Sequence, residues 1–409
     1  MEILHRICAG LDVHKKSVAA CIRILREDDT VETKKRTFGT MTHEIEALRD
    51  WLSQHGVTKV AMESTGVFWK PLWNILEGHF ELLLVNPRHI KNVPGRKTDM
   101  KDCEWICQLL QFGLLDGSFV PPRLIRDLRD LTRSRAKVIQ QRASVANRIH
   151  KVLQDANIKL SSVVSDITGV SSLNMIRAMA GGEKDPNLLA DMALRRLRAK
   201  IPQLRLALKG AVKDHHCFLL NRYLLQYDNL SSESELFDER IRFLTEPFES
   251  QIELLCTIPG VERRTAECIL AEIGPDMTQF RSSAAVASWS GVSPGNNESA
   301  GKNKSGKTTK GSKWLHRTLG EAAWAASRTR NTYLAAKYKR IAARRGKKRA
   351  IVAVGHSIIK AAFLILRDNV PYRDLGADHF DNLNKPRLTK YYVKRLENMG
   401  YSVTLDATA

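Results

Sequence analysis

The sequence predicts an α/β domain joined to an all-α region. Residues 1–120 would hold a mixed sheet, 121–252 a long helical, coiled-coil region, 253–370 a small mainly helical domain, and 371–409 a polar tail. Three observations carry this. Short apolar runs alternate with amphipathic segments over the first 120 residues, Pro121-Pro122 then punctuates the chain, and an apolar 3-4 pattern free of breakers follows from Leu124 to about Asn157.

The elements follow in order. Ile7 to Leu11 (ICAGL) and Val18 to Leu25 (VAACIRIL) read as two strands. Residues 41–55 place Ile45, Leu48 and Leu52 at helical spacing, with Thr42 as the expected N-cap. Lys59 to Met62 (KVAM) has the pattern of a buried strand, Phe68 to Leu76 that of a helix, and Glu81 to Val85 (ELLLV) that of a strand stopping at Asn86-Pro87. In the long pattern, Leu124, Leu128, Leu131, Val138, Val145, Ile149 and Val152 form one stripe that also carries Arg135 and Arg142. Those two arginines suggest a loose seam, or one that meets nucleic acid or another chain. Residues 204–227 and 234–256 read as further helices, the second interrupted at Pro247, and two more are expected at 319–344 and 347–366. Residues 161–187 are the least legible.

Composition narrows the function classes. Lys plus Arg number 65 against 44 Asp plus Glu, a formal charge of +21. Residues 301–350 hold 16 of the basic side chains and one acid, Glu321. A hydrophobic fraction of 43% excludes wholesale disorder. No apolar run is expected to reach the ~18 residues of a membrane span, and the N-terminus has no secretory pattern, so no membrane partner is expected. Seven cysteines without a C-x-x-C pair fit reduced thiols in a cytoplasmic protein. A basic chain of this kind most often binds nucleic acid.

Four acids stand where an α/β sheet would expose them. Asp12 follows the first strand and Glu63 closes KVAM, while Asp99 and Asp102 lie at i and i+3 in KTDMKD, on one helical face. Converging carboxylates repel unless cations neutralise them. Mg²⁺ takes such hard oxygen ligands, and a pair of metals suits in-line attack at a phosphodiester. Taken singly, each acid reads better as an ordinary cap or surface charge; the strand-end placement of two and the pairing of the other two bring the metal reading level with it.

GLDVHK (10–15), MESTG (62–66), Asn86-Pro87 and KTDMKD (97–102) resemble, in order and separation, the RuvC-like DEDD domain of a large bacterial insertion-sequence transposase family whose recombinases are guided by a bridge RNA. The resemblance implies a ribonuclease-H-like fold with Asp12, Glu63, Asp99 and Asp102 as its metal-binding catalytic acids. Cys103 departs from the small residue, often Ala, that the family has there.

Residues 291–317 (GVSPGNNESAGKNKSGKTTKGSKWLHR) combine five glycines with lysines every two or three residues, a composition suited to a phosphate backbone and equally to a solvated, mobile or tightly turning loop. Within it SPGNNESAGK is similar to the hallmark of the same family's C-terminal domain. That similarity makes Ser299 the nucleophile, which attacks DNA and is held through a phosphoserine. By residue chemistry alone Ser290, Ser293, Ser305 and Ser312 remain rivals. Upstream, Ile258-Pro259-Gly260-Val261 resembles a helix-hairpin-helix turn, expected to be structural because Glu262 replaces the usual glycine. Downstream, Lys337, Lys339, Arg340, Arg344, Arg345, Lys347, Lys348 and Arg349 form a dense basic run.

The expectation is a site-specific recombinase that mobilises its own insertion sequence. Its partners would be double-stranded DNA at the element ends and target, and a guide (bridge) RNA. The family implies a homodimer or homotetramer in which the acids of one protomer can complete the serine site of another. A hydrolytic RuvC-like nuclease or junction resolvase would use the acids and leave Ser299 without a task. A non-catalytic nucleic-acid-binding protein would need neither.

Overall fold

The computed structural model describes residues 3–63, 66–86, 102–295, 298–299, 302–303, 307–383 and 385–405. The chain divides into two compact units, Met1–Val120 and Pro121–Ala409.

The first unit is a five-stranded sheet in the order β3-β2-β1-β4-β5. The strands are β1 (Ile7–Val13), β2 (Ser17–Leu25), β3 (Val31–Gly39), β4 (Lys59–Glu63) and β5 (Glu81–Val85). β1 to β3 are an antiparallel meander, and β4 and β5 run parallel to β1. Period-2 alternation divides the strands between two cores. Ala9, Leu11, Val13, Val60 and Met62 face α1 (Thr42–Gln54) and α2 (Trp69–Leu76). Cys8, Cys21, Ala61 and Val85 face α3 (Asp102–Gln111).

Two details differ from expectation here. β3 was not legible, because only Phe38 of its nine residues is buried and the strand lies at the sheet edge. Helix α1 is capped at Met41 rather than Thr42: the Met41 N–H donates to Glu44 Oε2 at 3.1 Å.

In the second unit α4 (Arg123–Asp155) packs antiparallel on α5 (Asp214–Thr245). Short helices at Leu160–Val163, Val170–Ala180, Pro186–Asp191 and Ile201–Ala207 close over one end of the pair with a core around Met175, Ile176 and Leu204. The helices expected at 204–227 and 234–256 are divided differently: the first is broken over 208–213, whereas α5 runs unbroken through 228–233, where Leu230 is buried in the core it shares with α4. The interruption at Pro247 is present as a 3₁₀ turn, Glu246–Phe248.

Beyond it come α6 (Glu249–Cys256), α7 (Arg263–Ile273), α8 (Ser283–Trp289), α9 (Lys313–Ala326), α10 (Tyr333–Arg345) and α11 (Lys347–Asp368). The single helix expected at 319–344 is therefore two, α9 and α10. Asn331 at φ 55° turns the chain between them and Thr332 caps α10. Among the described residues α11 alone has the length and apolarity of a membrane span, contrary to the expectation of none. Its Ile351, Val354, Ile358, Ala362 and Phe363 are buried within this unit, as in a core helix. The polar tail is tied down where the Tyr372 N–H donates to Thr257 Oγ1 (2.8 Å) and the Tyr333 N–H donates to Asp374 Oδ1 (2.9 Å).

Candidate functional site

The parallel ladder between β1 and β4 pairs Leu11 with Met62, so the next residues, Asp12 and Glu63, lie side by side on neighbouring strands. Alternation turns both toward the α3 face. The third acid comes from α3, which starts at Asp102. Gly10 makes this approach possible: a Cβ there would lie 2.4 Å from both the Cys103 carbonyl oxygen and the Cys107 nitrogen. The helix therefore crosses directly over β1, two residues before Asp12. Burial, then the neighbouring Cys21 and Asp12, push the Cys103 thiol up to about 11, so it faces the acids as a neutral group. Cys103 is 1% exposed and fits beside the acids without displacing them.

Asp12 is also paired with His14, whose Nε2 lies 3.2 Å from Asp12 Oδ2. The sequence reading missed this histidine, although a strand spacing of two puts both side chains on one face. Asp99 and Pro87 lie outside the described residues. Three of the four expected acids thus come to one end and one face of the sheet, with hard oxygen donors of the kind that suits Mg²⁺.

The glycine-lysine segment is built as a β-hairpin. Gly291 (φ 74°) and Gly311 meet at its base, where a Cβ on Gly311 would lie 2.2 Å from the Gly291 nitrogen. Rungs follow at Thr309 N–H to Ser293 O (3.0 Å) and Gly295 N–H to Lys307 O (2.9 Å). At the far end Glu298 pairs with Asn303 and Ser299 with Lys302, leaving only residues 300 and 301 between the two strands. Ser299 is thus the last paired residue before the tip. Its rival Ser290 is fully buried, donating to the Val286 carbonyl at 2.7 Å. Ser312 caps α9 and hydrogen-bonds Glu272 Oε2 at 3.0 Å. Ser305 lies outside the described residues.

Two family models match the chain. Residues 9–158 match a model described as a transposase, of the IS110 DEDD type, and residues 252–339 match one described as transposase, IS116/IS110/IS902 family. The chain carries both IS110-family domains and is a DNA transposase. Asp12, Glu63, Asp99 and Asp102 of the transposase lie within the first match, and Ser299 within the second. The DEDD type of its first domain implies use of a divalent metal. The chain matches no protein of curated function.

Other expected features of the transposase take definite places. Arg135, read as part of a loose or intermolecular seam, is instead 3% exposed and donates to Asp238 Oδ1 and Glu267 Oε2, both at 2.8 Å. Its partners lie within the same unit. The hairpin-helix turn is structural: Gly260 (φ 82°) abuts α9, and a Cβ there would lie 2.4 Å from the Ala326 nitrogen. The basic run splits. Arg344, Arg345, Lys347, Lys348 and Arg349 are exposed, whereas Lys337 turns inward to donate to Ser357 Oγ at 2.5 Å. A separate Asp155, His215 and His216 cluster has the spacing to hold a metal ion. There, however, the Lys213 N–H donates to His216 Nδ1 (3.1 Å), which leaves Nε2 to carry the proton toward Asp155 Oδ2 at 2.9 Å. That tautomer makes His216 a helix cap.

Proposed function

We propose that this transposase is a site-specific recombinase of its own insertion sequence, guided by a bridge RNA, that cuts and rejoins DNA through Ser299. The observation that carries the reading is the pairing of two phosphate-handling devices in one chain: carboxylates grouped at a sheet end, and a serine at the tip of a basic hairpin. The strand order, with a three-stranded meander followed by two parallel strands, supports a ribonuclease-H-like first domain.

In this reading Ser299 Oγ attacks the phosphorus of a DNA phosphodiester. The serine O–P bond forms, the bond to one deoxyribose oxygen breaks, and that oxygen leaves as a hydroxyl with the serine proton. The energy of the ester is kept in the phosphoserine, so a hydroxyl of the partner strand can reverse the step without ATP. Mg²⁺ ions held by Asp12, Glu63, Asp99 and Asp102 would supply Lewis-acid charge for the phosphate oxygens. The lysines of residues 302–313 stabilise charge developing at phosphorus. Exposed cations around Gly346 hold the DNA or RNA backbone. The working form is a homodimer or homotetramer acting on DNA in the cytoplasm, with no membrane partner.

The test is reconstitution. The purified chain, Mg²⁺ and duplexes carrying the element ends and target should recombine only when the structured RNA transcribed from beside the gene is added. Recombination of equal yield without that RNA would overturn the guided reading.

A further inference from the structure

A cavity of about 230 Å³ opens in the second unit between α4, α7 and α9. Ala136 and Ile139 give it an aliphatic wall, Trp314 an aromatic one, and Thr265 and Thr318 bring hydroxyls to its lining. Its volume is below the ~300–1,000 Å³ of clefts that enclose drug-sized ligands. There is room for one flat ring system.

The surroundings carry both signs: Glu272 and Glu321 line the cavity too, Arg317 is paired with Glu321 (2.9 Å) and Arg264 with Asp238, and the basic side chains outnumber these acids. Arg133 and Lys137 each lie 6.0 Å from the Trp314 ring centroid, and Lys313 lies 5.5 Å away. Arg264 and Arg317 also line the opening, with side chains 57% and 41% exposed. The aromatic wall is held in place. Arg133 makes a two-pronged contact with Glu272 (2.7 and 3.0 Å), and the same buried carboxylate accepts from Ser312, the cap of the helix that carries Trp314.

Exposed cations alone would serve a duplex, whose bases are stacked on one another and present only edges. An aromatic-walled recess the size of one ring has no use for a duplex. We propose that this cavity binds a single unpaired nucleobase, stacked on Trp314, with the flanking phosphates on Lys137 and Lys313. The proposal rests on the nucleic-acid-binding reading above and deepens it, by assigning part of the surface to unpaired rather than paired nucleotides.

The probe is a short DNA hairpin carrying one 2-aminopurine, either bulged out or fully paired. Wild-type protein should quench the bulged 2-aminopurine on binding. Trp314→Ala should lose the quenching and bind the bulged probe about tenfold more weakly, as expected for one stacked base, with the paired probe bound as before. Ala136→Phe, which fills the recess and keeps Trp314, should show the same selective loss. Wild-type affinity of both variants for the bulged probe would overturn the proposal. So would an equal loss on both probes, which would make Trp314 a scaffold for the basic surface. If wild-type protein binds neither probe, the nucleic-acid reading itself fails and this proposal with it.

Discussion

Asp12 and Glu63 leave adjacent parallel strands at the same level and on the same face of the sheet, one residue beyond the paired Leu11 and Met62. Gly10 lets α3 cross β1 there and bring Asp102 to the same end. These side chains lie at the sheet's end and outside its buried core, so removing one charge should not harm the fold. Asp12→Asn and Asp102→Asn are therefore expected to abolish DNA cleavage while leaving melting temperature and RNA binding nearly unchanged. Full recombination by either variant in cells would remove the metal-site assignment.

Arg135 is the second point of leverage. Its guanidinium bridges Asp238 and Glu267 at 2.8 Å, and the Glu267 side chain is 4% exposed. Arg135→Ala would leave that carboxylate with the half-exposed Arg263 (3.1 Å) as its remaining partner, a change that costs about 3 kcal/mol, the lower end of the range for a broken buried pair. Denaturant unfolding should show a loss of that size, and Arg135→Ala, Glu267→Gln together should recover part of it. A loss under about 1 kcal/mol would mean that solvent reaches the pair.

His356, on α11, should make stability pH-dependent near neutrality. Burial first, then the charges of Lys360 and Lys337, hold its imidazole below 6.5. The folded chain thus binds this proton less readily than the unfolded chain. The stability it contributes is present above pH 6.5 and is lost as pH falls from there through the folded value. Melting temperature should fall over that window in wild type and fall less in His356→Gln. Identical pH profiles would contradict the assignment.

The exposed cations around Gly346 should act on phosphates without regard to sequence. Replacing Arg344, Arg345, Lys347 and Lys348 with Ala should flatten the log–log salt dependence of duplex binding by about 3–4 units. An unchanged slope would make this run a solvated face.

The parts legible in the sequence were those with local signals. Strands β1, β2, β4 and β5 have apolar runs, and α1 shows Ile45, Leu48 and Leu52 on one face, all buried. Strand β3 has no such signal, because an edge strand that buries only Phe38 needs no apolar alternation. The partners of Arg135 lie 103 and 132 residues away in sequence, so its stripe position looked like a defect in a seam. The hairpin around Ser299 was hidden for a related reason. Its rungs join Ser293 to Thr309 and Gly295 to Lys307, and glycine-lysine composition carries no strand signal. The acids were legible as motifs, but their convergence depends on the β1–β4 register and on the close approach at Gly10.

In the proposed reaction a serine, rather than water, attacks the DNA. Ser299 stands at the end of the hairpin ladder opposite Lys302, where a lost hydroxyl removes no rung of the backbone. The direct measurement is a denaturing gel of the protein–DNA products formed with Mg²⁺ and guide RNA on a substrate whose religation is blocked. A covalent adduct is expected with wild type and with Ser293→Ala and Ser305→Ala, and none with Ser299→Ala, which should also lose strand exchange. An adduct that persists in Ser299→Ala, or cleavage by wild type with no adduct at all, would contradict the proposed reaction.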